Sequence, residues 1–149
     1  NKKRIIPLSK FIKGSRKTNL KKNELLTSIL IPRKKEKGIS TFLKIGARKY
    51  LIISITMAAC RMEINQKIIK SASISIGSCS EVAKRITSVE KLLIGKHIDK
   101  YDLEKIDFKT IHELTPISDI RSDKKYREHA TQVLIRQIVE DCILKSKKE

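Results

Sequence analysis

The chain has 149 residues, 40% of them hydrophobic and 4% aromatic, and it contains no tryptophan. This length and content suit one domain, or one domain with part of another, around a core of mainly Ile and Leu. The longest apolar run, residues 51–60, is too short to span a bilayer and no secretory signal is visible, so we expect no membrane partner. Cys60, Cys79 and Cys142 show no metal-binding spacing such as CxxC, which indicates free thiols in a reduced, cytoplasmic compartment and no metal site.

The net charge of +18 is unevenly distributed along the chain. Residues 1–50 contain 16 Lys and Arg but 2 acidic residues, a local charge of +14. A basic region of this kind can bind nucleic acid, an acidic protein surface or a phosphate-bearing cofactor. The alternative is a lysine-rich composition whose side chains are simply solvated.

The first 38 residues contain too few elements for a core of their own. Ser9 and Gly14 bracket a one-turn helix as N-cap and stop. Residues 24–32 have the pattern of a strand ended by Pro32. One short helix and one or two strands cannot bury a core, so this piece must pack on something else. The charged run 33–38 is the best domain boundary in the sequence.

The longest strand-type stretch of the chain follows this boundary. Residues 52–64 form a first strand, and residues 72–77 alternate Ile or Ala with Ser or Gly, as a half-buried strand requires. Asn65-Gln66 lies between them, which predicts an antiparallel hairpin at the centre of a sheet. Just before the first strand, Lys44 and Arg48 place two cations four residues apart.

The remaining sequence predicts one more strand and then helices. Residues 79–87 are a candidate third strand, and helical stretches follow at 89–94, 99–116 and 123–145. We therefore expect an α+β fold, an antiparallel sheet of three to four strands with three helices packed on one face.

The last helix has the clearest pattern. Its start is capped by Asp123 or Ser122, and the first shorter helix begins at Ser88 and ends at Gly95. Apolar residues at three- and four-residue steps predict its buried face. These residues are Tyr126, Ala130, Val133, Leu134, Ile138 and Cys142.

Four motifs together resemble the flavoprotein subunit of molybdenum hydroxylases, a family that includes xanthine dehydrogenase and the medium subunit of aerobic carbon monoxide dehydrogenase. Residues 11–32 are similar to the end of that family's FAD-binding domain. Residues 42–48 match its F-x-K-x-x-x-R motif, with one residue between Phe and Lys. Residues 93–96 match L-x-G-K, and 116–127 match P-x-S-D-x-R-x-S-x-x-Y-R, except that Asp123 replaces Ser. The order and spacing of the motifs carry the resemblance.

The resemblance implies a domain organisation and a cofactor. Residues 1–38 correspond to the C-terminal piece of the FAD-binding domain plus a linker, and 39–149 to a carbon monoxide dehydrogenase flavoprotein C-terminal-like domain. FAD is the implied cofactor, in a site shared with an N-terminal half that the chain does not match. The chain's five glycines are spread out and form no phosphate-cradling loop.

The resemblance also implies partners and an activity. The partners are the N-terminal half of the FAD domain, an iron–sulfur subunit and a molybdopterin subunit. Electrons pass from the iron–sulfur clusters through FAD to NAD or another acceptor. The chain is part of such an oxidoreductase complex and is not expected to be active alone.

Two residues match family positions that touch FAD. Leu26 is expected to pack on the flavin ring system, and Lys44 to reach the flavin or its polar edge, where a cation stabilises negative charge on the reduced ring. Arg48 is expected to hold neighbouring backbone or carboxylates. The reading without the family match is that Lys44 and Arg48 flank a strand in solvent.

No residue is predicted to be catalytic. Asp119, Arg121 and Arg127 are expected to pair and to pin the loop before the last helix. Three histidines show no recognisable spacing to a nucleophile or an acid, namely His97, His112 and His129.

The alternative function is a basic nucleic-acid-binding module, which the charge of the first 50 residues supports. Phe11 and Phe42 are the only aromatic residues before Tyr50, so no stacking platform for bases is apparent.

Overall fold

Two units make up the chain, residues 1–36 and 37–149. A computed structural model describes residues 3–33, 37–48, 52–100, 103 and 111–148.

The first unit contains little regular structure. Helix α1 (Leu8–Phe11) begins after Pro7 and leads into a small antiparallel pair, β1 (Ile12–Gly14) and β2 (Lys17–Thr18). Ser9 therefore lies inside the helix and is not its N-cap, contrary to the prediction.

The strand predicted at 24–32 is absent from the structure. The segment lies outside helices and strands, and every side chain from residue 25 to residue 33 is exposed. A strand needs a hydrogen-bonded neighbour, and among the described residues none pairs with this segment.

The second unit is built on a four-stranded antiparallel sheet. Its order is β3 (Ile39–Ile45), β4 (Thr56–Asn65), β5 (Ile68–Gly77) and β6 (Lys84–Arg85). The predicted central hairpin is confirmed as β4 and β5. Its turn lies one residue later than predicted, at Gln66 and Lys67, whose φ angles of 49° and 60° are those of a type I′ turn.

Two strand boundaries differ from the prediction. Residues 39–45 form the separate strand β3, so Lys44 lies within a strand and not just before the first one. The predicted strand 79–87 is reduced to the two-residue β6. Ser78 has a left-handed φ of 66°, so the chain turns directly after Gly77. Most residues of the predicted strand lie between this turn and β6, outside any strand.

An irregularity in the hairpin keeps β5 facing the core along its whole length. Glu63 pairs with Ser71 but Ile64 pairs with Ile69, so β5 carries one extra residue. Without this bulge, the period of two would turn Ile69 to the opposite face from Ala72.

Two helices of the second unit are described. Helix α2 (Thr87–Leu93) contacts β5, and helix α3 (Lys124–Ser146) contacts β3 and β4. The helix predicted at 99–116 lies mostly outside the described residues. The predicted α+β class with an antiparallel sheet is confirmed.

Helix α3 begins as predicted but buries a different stripe. Asp123 is its N-cap and accepts a hydrogen bond of 2.7 Å from the Tyr126 N–H. Tyr126 and Val133 are 48% and 47% exposed, so their predicted burial is wrong. The buried stripe includes polar Arg127 and Thr131, which can be buried because both have hydrogen-bond partners. A prediction based on apolar residues alone does not find them.

The core lies between the inner face of the sheet and the helices. It combines inward residues of β4 and β5 with one side of each helix, including Met62, Ile74, Val89 and Ile138, all fully buried. The opposite face of the sheet is not covered by either described helix, and it carries the candidate site.

Candidate functional site

The outer face of the sheet begins with strand β3. Along β3, residues alternate between half-buried and exposed, which directs Ser40, Phe42 and Lys44 outward. Phe42 is 58% exposed, an unusual environment for a phenyl ring. Ile39 and Leu43 point to the other face, so the alternation of β3 presents Lys44 on the open side.

Register then aligns these residues with their neighbours on β4 and β5. The outward residues form three cross-strand rows: Lys44, Met57 and Gly77; Phe42, Ala59 and Ser75; and Ser40, Arg61 and Ser73. Directly paired residues on one face of an antiparallel sheet are close enough for their side chains to interact. The middle of the face therefore carries small residues, and its edges carry larger ones.

This distribution leaves an open, shallow depression of about 550 Å³. Ala59, Ser73 and Ser75 form its low central part, while Phe42 and Arg61 are among the residues around it. A surface of this kind can accept a flat or protruding group, because no large side chain fills the centre.

The two guanidinium groups beside the depression are already engaged. Arg61 donates a hydrogen bond of 2.7 Å to the Lys37 carbonyl. Arg85 binds Glu90 through two contacts of 2.6 Å, and this carboxylate raises the pKa of Arg85. Both side chains are thus held in place by the fold.

Lys44 occupies the end row of this face. Its side chain is exposed, and it pairs in register with Met57. Gly77 completes the row, and a Cβ there would lie 2.4 Å from Met57 Cε, so the absence of a side chain makes room for Met57. Arg48 lies beyond the end of β3 and is exposed.

Leu26, the second predicted cofactor residue, lies in the first unit. It is 54% exposed, within the segment that forms no strand. Exposure at both Leu26 and Lys44 leaves each side chain free of the core.

The loop before α3 is held in place by the predicted cluster of Asp119, Arg121 and Arg127. Asp119 Oδ1 accepts hydrogen bonds from the Arg121 N–H at 2.9 Å, the Ser122 N–H at 3.2 Å and Arg127 Nη2 at 2.8 Å. Arg121 Nη1 also donates to Asp119 Oδ2 at 3.0 Å. The Arg121 N–H and the two guanidinium groups hold the pKa of Asp119 well below its usual range.

Arg127 extends this pin into the core. It is 3% exposed and donates to the carbonyls of Ser78, at 2.9 Å, and Ile55. A buried side chain with these three partners holds the loop against the core, and the predicted pairing of Asp119 with Arg121 and Arg127 is confirmed.

Sequence reasoning missed the roles of two carboxylates. Glu90 is buried and accepts from the Ile74 N–H at 2.8 Å, which ties α2 to β5. Glu113 accepts from the N–H of Ser88 at 2.9 Å and from its hydroxyl, and so caps the start of α2 from a distant part of the chain. No local spacing signals such long-range partners.

Other classes of site find no support in the described structure. The described residues contain no group of three or more His, Cys, Asp or Glu side chains that could hold a metal ion. The three cysteines are buried and free. Within the part of the chain that is described, no helix is long and apolar enough to cross a membrane.

Comparison with known proteins identifies the fold of the second unit. The family model for the CO dehydrogenase flavoprotein C-terminal domain matches residues 41–142. The chain belongs to this family. The matched residues include Phe42, Lys44 and the strands β4 and β5.

Individual relatives agree with the family match. The chain is 27% identical over 124 residues to the glyceraldehyde dehydrogenase medium chain of Sulfolobus acidocaldarius, covering 83% of this chain and 43% of that protein. Reconstituted CO dehydrogenase from Oligotropha carboxidovorans has a TM-score of 0.80 at 25% identity, covering 95% of this chain and 49% of the solved one. Quinoline 2-oxidoreductase from Pseudomonas putida 86 shares the fold, with a TM-score of 0.77 at 22% identity and coverages of 92% and 47%.

The chain spans less than half the length of these relatives. The structural matches cover 92% and 95% of this chain, more than the second unit alone contains, so they extend into the first unit.

Proposed function

We propose that this chain is part of the flavoprotein subunit of a molybdenum hydroxylase that resembles xanthine dehydrogenase. In this role it helps pass electrons from iron–sulfur clusters through FAD to NAD or another acceptor. The observation that carries the proposal is the family match across residues 41–142, which includes Lys44 on the open face of the sheet.

The proposed domain boundary lies after residue 38, two residues beyond the end of the first unit. Residues 1–38 are the C-terminal piece of the FAD-binding domain with its linker, and residues 39–149 are the C-terminal domain. The partners are the N-terminal half of the FAD domain, an iron–sulfur subunit and a molybdopterin subunit. The relatives named above are a medium chain and two oxidoreductases, which supports a place in a complex of this type. The free, buried thiols are consistent with our proposal of a cytoplasmic location.

The side chains present fit one part of a flavin and not its phosphates. Lys44 offers an exposed ammonium group, which can donate to a polar ring edge, and Leu26 offers an exposed apolar surface, which can pack on a ring. The five glycines are scattered and form no phosphate-binding loop. The pyrophosphate is therefore held by residues outside this chain.

Lys44 has a defined chemical task in this proposal. Bound FAD supplies the electron-transfer chemistry. The ammonium group of Lys44 would donate to the polar edge of the ring and stabilise the negative charge that reduction places there. Leu26 would pack on the ring system.

The test is a redox titration of the native complex with Lys44→Met. Removing one nearby positive charge from a partly screened site weakens the stabilisation of the reduced flavin by about 1 kcal/mol, because exposed charges interact weakly. For a two-electron couple this lowers the flavin potential by roughly 20 mV. Lys70→Met is the matched control, since Lys70 is also an exposed lysine of the sheet, and we expect no shift.

Two results would count against the proposal. An unchanged potential in Lys44→Met would place this lysine in solvent, away from the cofactor. A native complex containing this chain but showing no flavin absorbance would refute the flavoprotein function itself.

A further inference from the structure

Two of the three buried cysteines meet where helix α3 packs on the sheet. Cys60 lies on β4 and Cys142 on α3, and they are 2% and 0% exposed. Cys142 Sγ lies 3.9 Å from the Cys60 carbonyl oxygen and 3.8 Å from that of Ile39. The two cysteines are 82 residues apart in the chain, so only the contact of α3 with β4 brings them together.

The third cysteine has different surroundings. Cys79 Sγ lies 3.2 Å from the hydroxyl oxygen of Thr131 and 4.0 Å from the Ile55 carbonyl oxygen. The described contacts of Cys79 are therefore to oxygen atoms and not to a second thiol. A disulfide forms only between sulfur atoms that the backbone already holds close together. Among the three cysteines, the fold selects Cys60 and Cys142.

The two thiols of this pair differ in acidity. A hydrogen bond between them lowers the pKa of Cys142, and the nearby ammonium group of Lys145 acts in the same direction. The same hydrogen bond, together with burial, raises the pKa of Cys60. The thiolate is the nucleophilic form of cysteine. Cys142 is thus suited to attack an oxidant, and Cys60 to react second as the thiol.

Cys142 also lies nearer to solvent paths than Cys60 does. It is close to the C-terminal end of α3, which ends at Ser146, and Leu144 in the same turn is 56% exposed. Its contact with Ile39 places it beside β3, the edge strand of the sheet. Helix ends open more often than core elements do. A small oxidant can therefore reach Cys142 when the last turns of α3 open.

We propose that Cys60 and Cys142 form a reversible oxidation site, at which a hydroperoxide converts the two thiols into a disulfide that joins α3 to β4. Both sulfur atoms belong to the core of the second unit, so the reaction requires neither FAD nor a partner subunit. The disulfide closes a loop of 82 residues, which restricts the unfolded chain and stabilises the folded one.

The reaction takes place in two steps. The Cys142 thiolate attacks one oxygen of the hydroperoxide and the O–O bond breaks, which gives a sulfenic acid on Cys142. The alkoxide or hydroxide that leaves takes up the proton released by the Cys142 thiol. The Cys60 sulfur then attacks the Cys142 sulfur, the S–O bond breaks, and the hydroxyl group leaves as water with the Cys60 proton. Two thiols and one hydroperoxide thus give one disulfide, one alcohol or water molecule, and one further water.

Peptide mapping by mass spectrometry tests the site on the full chain after treatment with hydrogen peroxide and blocking of the remaining thiols. Peptides that contain Cys60 and Cys142 should be recovered as a linked pair, at least about tenfold above any linkage to Cys79, and dithiothreitol should separate them. In urea the preference should shift to Cys60 with Cys79, because the shorter loop closes more readily. Linkage mainly to Cys79 in the folded chain, or no linkage there, would overturn the proposal.

Single substitutions test the order of attack. With dimedone present, Cys60→Ala should accumulate label on the sulfenic acid of Cys142, at least about tenfold more than Cys142→Ala accumulates on Cys60. Cys79→Ala is the matched control and should still form the disulfide between Cys60 and Cys142. Label mainly on Cys60, or loss of the disulfide in Cys79→Ala, would contradict the assigned roles. The wild-type mapping contains no substitution, so its result does not depend on whether the variants fold.

Discussion

At the scale of single residues, Arg127 shows how one buried side chain can organise a loop. It is 3% exposed, yet its guanidinium reaches Asp119 and two backbone carbonyls. Removing one member of such a network leaves buried polar groups without partners, which costs more than the hydrogen bonds themselves contribute. The motif that contains Asp119 and Arg127 thus holds the loop that leads into helix α3.

The pH dependence of Asp119 provides the first prediction at this scale. Its pKa is lowered in the folded protein, so its contribution to stability is present above the unfolded pKa, about 3.9, and is lost as the pH falls. Asp119→Asn should therefore reduce the free energy of unfolding most at pH 7 and by a smaller amount at pH 3, because the contribution is fully lost only below the lowered pKa of the folded state.

Urea unfolding at the two pH values measures this difference. Asp141→Asn is the control, because Asp141 lies on α3 with a single side-chain partner described, Gln137, and it should change little at either pH. Equal losses for Asp119→Asn at pH 7 and pH 3 would contradict the ionic role.

At the scale of elements, local patterns predicted the hairpin and the last helix because their signals are local. The alternation from Ala72 to Gly77 and the cap at Asp123 each depend on neighbours within a few residues. Strand β3 was missed because it is stabilised by pairing with β4. Such pairing between strands produces no pattern in the local sequence. The pattern at 24–32 predicts a strand, but a local pattern does not identify the strands that pair with it.

The candidate site, too, could be predicted only where its signals are local. Lys44 was identified from a motif, and its place on the open face follows from the period of two along β3. The depression beside it could not be predicted, because Phe42, Ala59 and Ser75 meet only through the register of three strands. Likewise, the partners of Glu90 lie on β5 and β6, outside the range of any helical rule.

Glu90 yields the prediction at this scale. Its carboxylate joins α2 to the Ile74 N–H and to Arg85, and it is 6% exposed. Glu90→Ala should lower the free energy of unfolding by about 2–3 kcal/mol, below the range for a fully buried pair because Arg85 can rehydrate.

Chemical denaturation of Glu90→Ala against Glu63→Ala checks this value. Glu63 is half-buried and accepts a hydrogen bond of 3.0 Å from Ser71, so its removal should cost about 1 kcal/mol or less. Similar losses in the two variants would show that Glu90 is not the link between helix and sheet.

At the scale of the whole molecule, the charge of +18 supports an alternative function, that of a basic nucleic-acid-binding module. The described structure offers one strongly exposed phenyl ring on the sheet, Phe42, and the guanidinium groups near it are engaged by Lys37 and Glu90. Binding of single strands depends on several aromatic platforms along a basic groove, and binding of duplexes depends on side chains that reach base edges. Charge alone supports only contacts to phosphates.

The last prediction follows from this distinction. We expect the isolated chain to bind DNA with a dissociation constant of about 10⁻⁶ M or weaker at physiological salt, without sequence preference. Fluorescence anisotropy with labelled single strands and duplexes, at 50 and 200 mM salt, should show affinity falling steeply with salt, because counterion release drives the interaction. An unrelated basic protein of similar charge is the control and should behave alike. A salt-resistant, sequence-dependent affinity would favour the nucleic-acid function over the flavoprotein one, because phosphate contacts alone cannot distinguish sequences.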